Sequence, residues 1–181
     1  MSLLIKYDRW IEKLSTNETR KISEENSFLF VKSQNQQLLL KIDGGIIPYN
    51  IQRQKKCDYA IYDEKNKNSN FIELKGVDIE YACDQVYETI LFSEKDEDLK
   101  EIVIGLNLLK GYIVSPRPPV PDIKNSHRNK LCRKMYNLSK NKLESLFHHL
   151  VFVRCIHKNP GKTHQQDNIC IVISHKNPLL I

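Results

Sequence analysis

The chain has 181 residues, of which 40% are hydrophobic and 28% charged, with a formal net charge of +6. That is enough apolar material for one packed domain, and too much for a disordered chain. No apolar run approaches the ~20 residues that a membrane-spanning helix needs, and the opening MSLLIKYDRW gains charge by Lys6 and Asp8 before any signal-like apolar core forms, so a cytoplasmic protein is expected.

Residues 3–14 place Leu3, Tyr7, Trp10, Ile11 and Leu14 at helical spacing and predict an amphipathic first helix. STNE (15–18) has the form of a capping box, but no apolar-periodic run follows it. SFLFVK (27–32) and QQLLLKI (36–42) read as strands, the second stopped by Gly44-Gly45. KKCDYAIYD and NFIELKG predict two more strands around an Asn/Lys-rich turn. From Asp78, a good N-cap, Ala82, Val86, Ile90 and Leu91 recur at helical intervals to about Ser93. EIVIGL fits helix or strand equally, and GYIVS (111–115) reads as a strand. PRPPVPD reads as a rigid connection, with a PxxP ligand as the other reading. A basic helix is expected to run through Leu150, followed by strands at LVFVRCI and NICIVIS. The order predicts a single mixed α/β domain over residues 1–181.

The five cysteines are widely spaced without a CxxC pair, which argues against a disulfide framework or zinc ribbon. Cys132, Cys155 and the histidines His127, His148, His149, His157 and His164 offer a zinc set, but buried thiols and surface imidazoles explain them more simply. Positive charge is clustered. Residues 124–142 contain no acid yet hold Arg128, Lys130, Arg133 and Lys134, and Lys55 and Lys56 lie just before Asp58. Two such clusters favour a nucleic-acid partner.

Alternate residues of a strand share a face, so Glu73 and Lys75 point one way and Ile72 and Leu74 the other. With the turn centred between Asn66 and Lys67, Asp58 falls opposite Lys75 and Ala60 opposite Glu73, and the two acids and the lysine gather on one face; a one-residue slip would undo this. Paired carboxylates resist joint ionisation unless a cation compensates them, and oxygen ligands of this kind suit Mg2+ or Mn2+ with a phosphate. A nearby lysine orients or deprotonates the attacking water. The bland reading is an exposed Glu73–Lys75 ion pair, worth ~0–1 kcal/mol.

Asp58 followed by Glu73-Leu74-Lys75 across a strand hairpin resembles the PD-(D/E)xK nuclease superfamily, which includes restriction endonucleases, junction resolvases and RecB-like exonuclease domains. The resemblance implies an α/β, restriction endonuclease-like core over about residues 3–115: a central mixed β-sheet flanked by helices, with residues 116–181 as a C-terminal extension. It implies Asp58 and Glu73 as metal ligands with the Leu74 carbonyl as a third, Lys75 as catalytic lysine, and Gln85 assisting from the following helix. Cys57 stands where the motif's proline would be, and Thr89 where RecB-like members carry a tyrosine. Some members add an acid from the first helix, for which Glu12 is the candidate, with Glu18, Glu24 and Glu25 behind it. The expected activity is Mg2+-dependent phosphodiester hydrolysis on DNA rather than RNA. Lys55, Lys56, Arg128, Lys130, Arg133 and Lys134 would contact phosphates, and a homodimer or partner subunit would allow both strands to be cut. The rivals are a non-catalytic nucleic-acid-binding or assembly module of the same fold and an interaction protein using PRPPVPD.

Overall fold

The computed structural model describes residues 6–24, 27–48, 54–74, 78–115, 126–155, 170–173 and 178–181, with backbone alone for 155 and 170–173. Lys75, Glu25, the start of the expected first helix and the PRPPVPD segment lie outside the described residues.

Three layers stack: two helices, a seven-stranded mixed sheet and a three-stranded sheet. The large sheet runs β1 (Ile11–Leu14), β4 (Gln37–Lys41), β5 (Tyr59–Asp63), β6 (Asn68–Leu74), β7 (Leu108–Ser115), β8 (Leu150–Cys155) and β9 (Cys170–Ile173). Its first half is antiparallel, and from β6 onward each neighbour is parallel. The small sheet joins β2 (Thr19–Glu24) antiparallel to β3 (Ser27–Lys32), with β10 (Leu179–Leu180) parallel on the other side of β3. Of the described residues beyond 116, β8 and β9 belong to the large sheet and β10 to the small one.

Alternation along each strand sorts apolar side chains onto two faces. Ala60, Tyr62, Phe71 and Ile113 meet the helices. Ile61, Ile72, Leu74, Tyr112 and Val114 meet the small sheet. With both faces covered, β6 is buried almost throughout, as expected of a strand joining the antiparallel and parallel halves. Helix α1 (Ile79–Lys95) connects β6 to β7 and packs on both. Its N-cap is Asp78, whose carboxylate accepts the Tyr81 amide at 2.9 Å. Helix α2 (Ser126–Leu138) lies against α1 and β7, where Gly111 leaves the room that a Cβ would contest with Met135 and Leu150.

Several expectations are corrected. The described part of the expected first helix is a short 3-10 turn, Asp8–Trp10, followed by β1, because Ile11 to Leu14 pair with β4 and Leu14 is buried in the small-sheet core. STNE forms the turn into β2, where Glu18 accepts the Ser15 amide at 2.8 Å: the capping-box bond closes a turn instead of a helix. EIVIGL is neither regular element, since a 3-10 turn covers Lys100–Ile102. The basic helix ends at Leu138, and Leu146–His149 is a separate 3-10 turn. No helix among the described residues is long and apolar enough to cross a membrane.

Candidate active site

The β5–β6 hairpin sets the geometry. Asp63 pairs with Asn68, and the Asp63 carboxylate accepts both the Asn66 amide and its side-chain NH2 at 2.8 Å. This Asx-type closure makes Glu64–Lys67 a four-residue loop, with Lys67 in the left-handed region (φ 51°). The turn centre is thus one position earlier than expected. Ala60 lies opposite Phe71, not Glu73, and one step beyond the Tyr59–Ile72 pair Asp58 comes level with Glu73. A two-residue change of partner preserves the face. Asp58 and Glu73 accordingly share the helix-facing side of neighbouring strands, and Asp58 is nearer Glu73 than the expected register placed it.

Antiparallel pairing puts the start of β5 beside the end of β6. The parallel register puts the end of β7 at the same edge, and α1 begins there. The two acids therefore sit at the carboxyl end of parallel strands, where ligands bind in open α/β sheets. Asp58 is half-buried and its Oδ2 accepts the Leu74 amide at 2.7 Å. Glu73 is 2% exposed. The thiol of Cys57 registers both acids: its pKa is pushed well above the usual value, first by burial, then by the Glu73 charge, with Asp58 adding to it, against a lowering by Thr89.

Gln85 does not reach the acids by any hydrogen bond among the described residues. Its Nε2 donates to the Lys56 carbonyl at 2.8 Å, while its Oε1 is enclosed without a hydrogen bond. One turn on, Thr89 accepts the Cys57 amide at 2.8 Å and donates to the Gln85 carbonyl. These bonds lash α1 to the two residues that precede Asp58. Gln85 and Thr89 thus brace the strand entry that presents Asp58. Sequence reasoning missed the Thr89 brace, whose one signal was its helical spacing from Gln85.

The basic residues divide. Lys55 is bound to Asp84 at 2.6 Å, and the hydrogen bond raises its amine above the usual value. Burial alone would raise the Asp84 carboxyl, but hydrogen bonds from His127, at 2.6 Å, and Lys55 hold it below the carboxylate range. Lys56 is 6% exposed, bound to the Pro48 carbonyl at 2.7 Å with Asp43 at 3.6 Å, an internal placement unlike that expected of a phosphate contact. Arg128 is 3% exposed, its guanidinium stacked on Phe147 and Phe152, so it faces the core. Lys130, Arg133 and Lys134 do line an open groove of about 510 Å³ with Tyr87, between α1 and α2. Lys130 lies over the Tyr87 ring at 4.0 Å, Lys134 is tied to Glu94 at 2.6 Å, and Arg133 is exposed.

Glu12 lies on β1 and pairs with Arg20 at 3.0 Å, and it shares its face with Leu14 on the small-sheet side, so it does not join Asp58 and Glu73. Among the described residues, no group of three or more His, Cys, Asp and Glu side chains gathers in a form that could hold a metal. The described protein donors are two carboxylates and a main-chain carbonyl, all oxygen. Such a set suits Mg2+, which retains several waters and takes few protein ligands.

No protein-family model matches the chain, nor does any curated protein or solved structure reach a significant match. Fold and site define an α/β protein with a mixed sheet, a small second sheet and an acidic pair at the carboxyl edge.

Proposed function

We propose that the protein is a Mg2+-dependent nuclease hydrolysing phosphodiester bonds, with DNA as its favoured substrate and a restriction endonuclease-like core. The observation that carries this reading is the meeting of Asp58 and Glu73 on one face of adjacent strands, at the sheet edge where α1 begins. The order β4, β5 and β6 antiparallel, then α1, then β7 parallel to β6, supports it as well.

Asp58, Glu73 and the Leu74 carbonyl would hold the ion, Mg2+ or Mn2+. When bound, it lowers the pKa of water and neutralises charge on the phosphate. Lys75, next in sequence after the strand, is assigned the attacking water, which it would orient as an ammonium or, in its neutral form, deprotonate. Gln85 and Thr89 keep Asp58 in register with Glu73 through the Lys56 and Cys57 backbone. Lys130 and Arg133 supply sequence-independent phosphate contacts, which makes binding steeply salt-dependent.

The test is supercoiled plasmid at low salt with Mg2+, Mn2+ or EDTA, using wild type, Asp58→Asn and Lys75→Ala. Metal-dependent nicking or linearisation by wild type alone is the expected result. DNA binding without cleavage in all three proteins would instead identify a non-catalytic nucleic-acid-binding module.

A further inference from the structure

The face of the large sheet that meets the small sheet carries a polar patch at the hairpin end, far along β6 from Glu73 and on its other side. Asn70 pairs with Ile61 on one flank and Lys110 on the other, and the next row aligns Asp63, Asn68 and Leu108. With Gln37 and Tyr112 these side chains line a cleft of about 260 Å³, closed from the small-sheet side by residues 34–35 and the end of β10.

Two of its groups are built in without partners. Asn70 is 7% exposed, yet among the described residues its side-chain amide makes no hydrogen bond. Lys110, half-buried beside it, makes no ion pair or hydrogen bond through its amine among the described residues, and burial holds its pKa below the usual lysine value. Asp63 is the acid in the cleft, but its oxygens are occupied by Asn66 at 2.8 Å and by Asn35 at 3.4 Å. The Lys110 ammonium and the Asn70 amide thus present donors to the cleft that no described side chain takes up, and a ligand with acceptor oxygens satisfies both at once. Tyr112, with its hydroxyl pKa pushed up to about 12 by burial, remains a neutral donor there.

We propose that this cleft binds a small molecule through an anionic oxygen group, a carboxylate or phosphate, held between Lys110 and the side-chain amides of Asn68 and Asn70. Its volume lies just below the ~300–1,000 Å³ of drug-sized ligand pockets, which suits a small metabolite. The cleft is independent of the Asp58–Glu73 site and stands whether or not the protein cuts DNA.

The side-chain amide resonances of Asn68 and Asn70 read this directly in the full-length, 15N-labelled protein. Titration with inorganic phosphate, acetate and, as a neutral probe, glycerol separates the ligand chemistries. The expected result is a saturable shift with phosphate or acetate, none with glycerol, and loss of the shift in Lys110→Met, which keeps the buried stem. Asn70→Asp, read at Asn68, places a carboxylate in the cleft and must abolish binding too; it decides the matter if Lys110→Met does not fold. No saturable shift with either anion, an equal shift with glycerol, or a shift that survives the folded variants overturns the proposal. Anions captured by the Lys130–Arg133 groove leave these two amides unmoved.

Discussion

The Asp58 carboxylate accepts the backbone amide of Leu74 at 2.7 Å, so the side chain that precedes β5 is fastened to the strand that carries Glu73. One oxygen of Asp58 therefore has a structural task whatever its chemistry. Asparagine retains an acceptor oxygen at that position and alanine does not. Asp58→Asn keeps this bond and is expected to cost less stability than Asp58→Ala, while cutting metal-dependent nicking by more than the ~10–100-fold that second-shell changes produce. Asp58→Ala is expected to lose the same activity and a further ~1–2 kcal/mol of stability, from the orphaned Leu74 amide. Urea melts beside plasmid nicking separate the effects; wild-type cleavage by Asp58→Asn would reduce this residue to a backbone staple.

Behind Asp58, the buried Thr89 hydroxyl accepts the Cys57 amide and donates to the Gln85 carbonyl. Thr89→Val keeps the shape and removes both bonds, leaving a buried N–H unpaired, for a loss of about 1–3 kcal/mol in unfolding free energy. Thr89→Ser restores the hydroxyl and should recover most of it. A larger fall in cleavage for Thr89→Val than for Thr89→Ser, at temperatures where both are folded, would show that this brace positions Asp58.

How far such relationships were legible in the sequence depends on what fixes each one. The β5–β6 hairpin, the shared face of Asp58 and Glu73, and the Asp78 cap follow from local signals: alternation, turn residues and an N-cap. The partner of Glu73 did not, because it depends on the Asp63 side chain closing the loop one position early. Helical spacing from Tyr7 to Leu14 misled, since pairing of β1 with β4 overrides local periodicity at a sheet edge. Arg128 was readable in principle: it falls in the stripe with Leu131, Cys132 and Met135, all buried, so position should have outweighed charge. Lys56 gave no such warning, because its partners, Pro48 and Asp43, come from a preceding loop without regular spacing.

Arg128 and Arg133 provide a contrast within one helix. Arg128→Ala removes a guanidinium stacked on two aromatic rings and is expected to lower stability by about 1–3 kcal/mol. Arg133 is exposed in the α1–α2 groove, and Arg133→Ala should leave stability within about 0.5 kcal/mol of wild type. DNA affinity measured against salt is expected to show the reverse pattern. Arg133→Ala should reduce the slope of log affinity on log salt by roughly 1, and folded Arg128→Ala should leave it unchanged. Equal slopes for Arg133→Ala and wild type would remove this groove from the nucleic-acid interface.

His149 gives the fold a pH dependence whose direction is fixed. Its ring is fully buried, Nδ1 lies 2.8 Å from the Leu109 carbonyl and therefore donates to it, and Nε2 is enclosed without a hydrogen bond. Burial pulls its pKa below the ordinary histidine value; the Leu109 carbonyl opposes this, and the positive charges of Lys110 and Lys142 reinforce it. The unfolded chain, with an ordinary pKa of ~6.5, thus takes up a proton on acidification before the folded chain does. Stability from this residue is full above about pH 6.5 and is lost as pH falls toward the folded value, at up to ~1.4 kcal/mol per pH unit. His149→Phe cannot take up that proton. It also loses the bond to Leu109, but that loss is the same at every pH. Unfolding free energies from pH 7.5 down to about 5 should therefore draw together for the two proteins, the wild type falling more steeply below pH ~6.5. Parallel curves across that range would mean that His149 titrates alike in the folded and unfolded chains.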